Sequence, residues 1–122
     1  MRSTNRHKAE RWGRSAEALA CWSLRLKGYA ILARRQRTPV GEIDIVARRG
    51  SVLAIVEVKA RRSSEDAHSA LAARPRARLA RAAAWLVGNT SGYADLSVRF
   101  DFIVIVPWRW PRHIADAWRD GE

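Results

Sequence analysis

Cysteine is almost missing from this chain. The lone Cys21 excludes an internal disulfide and leaves no Cys/His cluster with zinc spacing; its place in a helical pattern marks it as a small core residue. Lysine is nearly as scarce, since Lys8, Lys27 and Lys59 are the only lysines among 23 Lys and Arg. No run approaches the roughly 20 apolar residues that cross a bilayer. The polar start, Met1 to Lys8, is followed by no apolar h-region. Both absences point to a soluble, cytoplasmic protein with no membrane association. No internal repeat or low-complexity linker divides the 122 residues, which suit one domain with a modest core.

What the chain does have is positive charge. Lys and Arg number 23 against 12 Asp and Glu, a formal net charge of +11. Such a surplus suits a polyanionic partner, because neutralising phosphate is the usual work of a basic surface. The arginine and alanine content also fits the compositional bias of a GC-rich genome, which makes the rare Lys59 stand out.

Lys59 falls in the stretch Gly41 to Arg61, which reads as two strands around a turn. Gly50-Ser51 fits a two-residue type II′ hairpin turn, which takes glycine first. That register sets Arg49 opposite Val52, Asp44 opposite Glu57 and Glu42 opposite Lys59. Directly opposed residues share a face, with Cβ atoms about 4.5–5.5 Å apart. The carboxylates and the amine therefore gather on one face, while Ile43, Ile45, Val56 and Val58 point to the other. Two carboxylates at that range repel unless one is protonated or a cation intervenes. A hard divalent ion such as Mg²⁺ resolves the repulsion. The alternative is a solvent-facing strand surface with cross-strand ion pairs such as Glu42 with Lys59.

In chain order, residues 1–8 read as a disordered basic lead-in, 9–119 as the folded domain and 120–122 as a tail. Ala9 to Lys27 is expected to be an amphipathic helix buried along Trp12, Ala16, Leu19, Ala20, Ser23 and Leu26, with Gly28 as its C′ residue. Glu17 flanks that stripe; it either reaches inward or, as spacing favours, pairs with Arg14 at the surface. Tyr29 to Arg37 reads as a first strand and Thr38 to Gly41 as a turn. Ser63 or Ser64 is placed to cap a short helical turn. A second helix starts near Pro75 and ends before Gly88-Asn89, burying Leu79, Ala82, Ala83 and Leu86. Its basic flank, Arg74, Arg76, Arg78 and Arg81, is a candidate phosphate contact, as are Arg61 and Arg62 after the third strand. Arg34, Arg35 and Arg37 end the first strand, and in an antiparallel sheet the two clusters can fall on different rims. Val98 to Val106 is the most buried strand, with Asp101 either a structural acid paired to Arg99, the favoured reading, or a support for the carboxylate site. Trp108, Trp110, Pro111 and His113 form an aromatic tail expected to pack on the core, with base stacking as the other reading. Ile114 to Trp118 reads as a short helix.

At this point the chain resembles a known superfamily. Asp44 followed by Glu57-Val58-Lys59 is similar to the Asp…Glu-x-Lys core of PD-(D/E)xK nucleases. Glu17 falls on the preceding helix, where the archaeal Holliday-junction resolvases carry an additional acid. More closely, the chain resembles the small YraN-type family. The matching blocks are Ala16-Glu17-Ala18, Gly41 to Val46, Val56 to Arg61, Arg78 to Ala83 and Arg99-Phe100-Asp101. Two departures stand out. Ile43 replaces the proline that usually precedes the aspartate, and no Lys or Gln stands near Arg74-Pro75-Arg76.

The resemblance implies a single α/β domain with a restriction-endonuclease-like αβββαβ core and a mixed central sheet. It implies hydrolysis of phosphodiesters in branched or structured DNA. Asp44 and Glu57 would hold Mg²⁺ or Mn²⁺ together with the Val58 carbonyl, Glu17 would complete the shell, and Lys59 would neutralise developing charge. A homodimer follows from the resolvase likeness alone. The alternatives are a nucleic-acid-binding module that keeps the fold without catalysis, and an assembly protein acting through its tryptophan-rich tail.

Overall fold

The computed structural model describes residues 15–63, 65, 66, 69 and 76–118. The expectations for residues 1–8, Trp12, Arg14, Ser64, Arg74, Pro75 and 120–122 lie outside them. The first helix, α1, covers 15–26 in its described part. Ala16, Ala20 and Leu24 recur every four residues and are buried with Cys21 and Ser23. The buried stripe is therefore rotated from the expected one, and Leu19 and Leu26 are 44% and 67% exposed. Small side chains at 16 and 20 let the helix backbone approach the sheet, which turns the bulkier Leu19, Trp22 and Leu26 outward. Gly28 ends the helix as expected: with φ 90° it gives its N–H to the Arg25 carbonyl, and Tyr29 gives its own to that of Leu24. This is the Schellman arrangement that glycine permits.

Five strands follow: β1 Ala30–Thr38, β2 Gly41–Arg49, β3 Val52–Ala60, β4 Ser97–Ile105 and β5 Arg112–Trp118. The second helix, α2, runs Arg76–Asn89 between β3 and β4. Its stripe of Leu79, Ala82, Ala83 and Leu86 is buried as the spacing predicts. It continues through Gly88 to Asn89, beyond the expected stop, and the Asn89 amide bonds back to the Trp85 carbonyl at 2.7 Å. Ser63 Oγ accepts the Asp66 N–H at 3.2 Å, as a cap of the short helical turn.

The sheet order is β1-β2-β3-β4-β5. Only β3 and β4 run parallel; the other neighbours are antiparallel. A parallel pair needs a crossover, and α2 lies in it. The two helices cover opposite faces. On one, Ala16, Ala20, Cys21 and Leu24 of α1 meet Ile45, Ala47, Ala54, Val56, Ile103 and Ile105. On the other, Leu79, Ala83 and Leu86 of α2 meet Ile43, Val46, Leu53, Ile55 and Phe100. Buried on both sides, β3 reads as a continuous apolar run, as a central strand should.

The last strand overturns an expectation. Arg112–Trp118 is not a helix but an antiparallel edge strand on β4. Its sequence alternates poorly because a bulge interrupts it. The register shifts between Phe100 and Phe102, and Asp116 takes φ 52°. Trp118 is buried and stacks on Phe100 with centroids 4.1 Å apart. It anchors the edge strand where a helix was expected to pack.

Strand directions decide what shares a rim. Because β1 and β3 each run antiparallel to β2, they run parallel to one another, and β4 runs parallel to β3. The C-terminal ends of β1, β3 and β4 therefore lie on one rim, with the start of β2. Arg34 lies in mid-strand, level with Ile45 and Val56, while Arg37, Arg61 and Arg62 approach that rim. The first turn of α2 reaches the same place, since a Cβ on Gly41 would meet the Arg78 side chain at 3.4 Å.

Candidate functional site

The hairpin register holds as far as Ile45 opposite Val56, with Arg49 opposite Val52 and Gly50 at φ 60°. Beyond that pair the ladder stops. The Asp44 carboxylate takes the Val58 N–H at 2.8 Å, so a side chain occupies the donor that a continued ladder would use. Alternation breaks at the same point: Ile45 packs on the α1 side but Ile43 on the α2 side. Residues two apart in a regular strand share a face, so the expected common face of Ile43 and Ile45 fails at Asp44. Glu42 is exposed, and Lys59 pairs with Glu57 Oε1 at 3.5 Å rather than with Glu42.

Glu57 is 7% exposed, and its Oε2 is a buried oxygen with no hydrogen-bond partner among the described residues. Burial pushes the Asp44 carboxyl above its usual range, and the nearby charges of Glu57 and Glu17 push the same way; the Val58 N–H and Lys59 pull it back. A carboxyl whose folded pKa lies above its unfolded value stabilises the fold at low pH and loses that contribution as pH rises through the folded value. Ionisation of Asp44 therefore opposes folding of the metal-free protein increasingly as pH rises. Asp44→Asn keeps an oxygen for the Val58 N–H and removes the charge. It is expected to raise the thermal midpoint at pH 7, with the gap to the natural protein closing below the unfolded pKa of about 4. A lower midpoint at pH 7 would contradict this account.

Arg14, the expected partner of Glu17, lies outside the described residues, and Glu17 itself turns inward. Its side chain is 11% exposed and ion-pairs with Arg34 at 3.2 Å and Arg35 at 3.3 Å. Consecutive strand residues normally face opposite ways. Arg35 has φ 51°, an uncommon value for a residue with a Cβ, and both arginines reach one carboxylate. Those partners lie well along the chain from Glu17, where helical spacing gives no sign of them. Glu17 is thus engaged by arginines, and among the described residues no group of three or more His, Cys, Asp or Glu is arranged to hold a metal ion.

Two acids remain available. Asp44 Oδ1 and Glu57 Oε2 take no hydrogen bond among the described residues. They fit a Mg²⁺-type ion, which is commonly held by one or two carboxylates with water and substrate phosphate completing the shell. Of the predicted phosphate contacts, Arg78, Arg81 and Arg62 are exposed and Arg61 and Arg76 half-buried; Arg74 lies outside the described residues. Arg61, Arg62 and the first turn of α2 meet at the carboxylate rim, whereas Arg81 lies one turn further along the helix. A cavity of about 720 Å³ lies elsewhere, between α2 and the start of β4; Ala83, Val98, Phe100 and Trp118 line it, and none of the carboxylate site does.

A second polar cluster sits in the α1 face of the sheet. Asp101, 1% exposed, receives Arg99 Nε at 2.8 Å and Arg99 Nη2 at 2.7 Å, and His113 Nε2 lies at 2.7 Å. The β5 bulge hands it the Asp116 N–H as well, at 3.0 Å. Lys27 Nζ lies 3.0 Å from His113 Nδ1, which makes Nδ1 the acceptor and Nε2 the donor toward Asp101. Arg99 also donates to the Tyr29 hydroxyl. Burial would raise the Asp101 pKa; the bonds from His113, Arg99 and Asp116 and the Arg99 charge outweigh it and hold the carboxyl at about 2. The bond to Asp101 in turn raises the Arg99 pKa. Asp101 is thus the paired structural acid that the sequence suggests, with His113 and Lys27 as partners that sequence reasoning missed. The available signal was physical: an aspartate in an apolar strand requires several donors.

The turn after β4 is unusual. Arg109 N–H bonds to the Val106 carbonyl at 3.2 Å, with Pro107 and Trp108 between them. Trp108 has φ 63°, which makes this a type II turn with tryptophan where glycine or asparagine belongs. Left-handed backbone at such a residue costs roughly 1–2 kcal/mol. Trp108 and Trp110 are 103% and 71% exposed, so neither packs on the core as expected.

The family model of the uncharacterised protein family UPF0102 matches residues 16–105, from α1 to the last residue of β4. A UPF0102 protein of Parvibaculum lavamentivorans is 59% identical over 111 residues, covering 91% of this chain and 84% of that protein. One from Mesorhizobium japonicum is 48% identical, covering 94% and 92%. One from Caulobacter vibrioides is 48% identical, covering 97% and 94%.

Proposed function

This chain belongs to the uncharacterised protein family UPF0102, and we propose that it is a Mg²⁺-dependent endonuclease-like protein that hydrolyses phosphodiesters in branched or structured DNA. The observation that carries the reading is the buried Glu57 Oε2 beside Asp44, unpartnered among the described residues, on a rim edged with arginines. A buried carboxylate oxygen without a donor is costly unless a cation meets it. Around an acidic pair, a basic rim has an evident use: it draws in a polyanion whose phosphate the pair alone would repel. The αβββα order followed by β4 is consistent with a restriction-endonuclease-like core, to which β5 adds an edge.

Asp44 and Glu57 would hold the ion, with the Val58 carbonyl as a further hard donor. Bound there, Mg²⁺ or Mn²⁺ supplies Lewis acidity toward phosphoryl oxygen and lowers the pKa of water. The chain's own groups do the rest. The Val58 N–H fixes one oxygen of Asp44 and so directs the other. Lys59, 3.5 Å from Glu57 Oε1, adds positive charge next to the phosphate. Arg61, Arg62, Arg76 and Arg78 bind flanking phosphates and set the backbone across the carboxylates.

The test is cleavage of junction, single-stranded and duplex DNA of matched sequence by the full chain, with Mg²⁺, Mn²⁺ or EDTA. Metal-dependent cleavage and binding that weakens steeply with salt are expected. Salt-sensitive binding without cleavage under any metal would identify a binding module that has kept only the fold. No binding even at low salt would sink both readings.

A further inference from the structure

We propose that Trp108 and Trp110 form a stacking platform for unpaired bases, and that the DNA taken by the carboxylate rim is therefore one with single-stranded character. The proposal rests on reading that rim as the nucleic-acid face. Three observations lead to it. The tip joining β4 to β5 follows the C-terminal end of β4, so it rises from the rim that carries Arg61, Arg62, Asp44 and Glu57; the Arg61 N–H bonds directly to the Ile105 carbonyl at 2.9 Å. Both indoles stand in solvent, with the exposed Arg109 between them. Finally, Trp108 occupies the glycine position of a type II turn, so the backbone is held in an unfavourable conformation that presents an aromatic outward. Strain of that kind collects at binding sites.

The chemistry favours bases over other occupants. Every base offers a π-face to an indole, and stacking is tolerant of sequence. In an intact duplex those faces are covered by neighbouring bases, so an exposed indole finds them only where strands are open, as at a fork, a flap or a junction. Arg109 supplies the phosphate or cation–π contact that such platforms combine with stacking. A purely apolar protein partner would leave the surrounding arginines unmatched.

The experiment measures affinity by fluorescence anisotropy, in EDTA at fixed salt, for a single strand, a fork with an unpaired arm and a blunt duplex. The natural chain is compared with Trp108→Ala/Trp110→Ala and with Trp108→Asn. Loss of two stacking contacts is expected to weaken single-strand and fork binding by about 30-fold or more, with duplex binding changed less than about twofold. Trp108→Asn suits the turn, so its thermal midpoint is expected to rise while its fork affinity falls, a split that a structural role cannot produce. Quenching of indole fluorescence by the single strand is expected in the natural chain and lost in the double variant. Equal loss on all three DNAs, or none on any, overturns the proposal; the latter result assigns the pair to a protein partner. If the natural chain binds no DNA at all, the reading of the rim itself fails. If it binds but never cleaves, the platform is still tested in full.

Discussion

Asp101→Ala is expected to lower the stability of this protein by about 3–5 kcal/mol, the usual result of removing one partner from a buried charge network. Asp101 is where Arg99, His113 and the Asp116 N–H converge. Without it, a guanidinium that is 19% exposed and an imidazole that is 3% exposed lose their acceptor together. Small domains have only about 5–15 kcal/mol in total, so the loss is a large share of the whole. Asn at this site keeps the volume but turns an NH₂ toward donors, so Asp101→Asn should fail nearly as badly. The pH dependence carries its own sign. The folded pKa of about 2 lies below the ordinary value of 3.8, so the contribution is complete above the unfolded pKa and drains away as pH falls through about 2. Urea midpoints at pH 7 and at pH 3 for the natural chain and the variant check this. A difference at pH 7 of less than about 1 kcal/mol would remove Asp101 from its role as the centre of the network.

Under the proposed function, Asp44→Asn and Glu57→Gln should each reduce metal-dependent cleavage by about a thousandfold, equivalent to roughly 4 kcal/mol of transition-state stabilisation. The effect is large because the site has few redundant ligands. Glu17, the acid that could otherwise compensate, is engaged by Arg34 and Arg35. The same substitutions should leave DNA affinity in EDTA unchanged or slightly tighter, since each removes a negative charge from the path of a phosphate. That opposite movement separates a damaged site from a damaged fold. Mn²⁺ titration followed by electron paramagnetic resonance, run beside the cleavage assay, reads metal binding independently of turnover. Cleavage at the natural rate in both variants would place the chemistry elsewhere in the molecule.

How much of this could be read from the chain depended on whether the cause was local. Gly50-Ser51 fixes a hairpin register by its own backbone preference, so Arg49 opposite Val52 could be counted out. Leu79 to Leu86 buries the face its spacing predicts. The register failed where a side chain intervened: nothing in the order of residues announces that Asp44 will take the Val58 N–H and end the ladder. Ile114 to Trp118 reads as helix because Ala115 and Ala117 favour it, and only pairing with β4 and the bulge at Asp116 make it part of a strand. The partners of Glu17 and His113 are illegible for one reason, in that sheet topology brings them together. The carboxylates and Lys59 were legible as a group because charge in an apolar strand demands an explanation.

The parallel pairing of β3 with β4 has a consequence for synthesis. The strands β1, β2 and β3 are joined by short turns and can form as soon as they leave the ribosome, but β4 starts at Ser97, after the whole α2 connection. Until it arrives, the edge of β3 along Leu53 to Val56 is open, apolar and ready to accept any extended segment, including that of another nascent chain. Non-local pairings of this kind are slow to close. The newborn protein is therefore at its most vulnerable after β3 is made and before β4 emerges, and slowing translation upstream of Ser97 should increase the share of chains that aggregate.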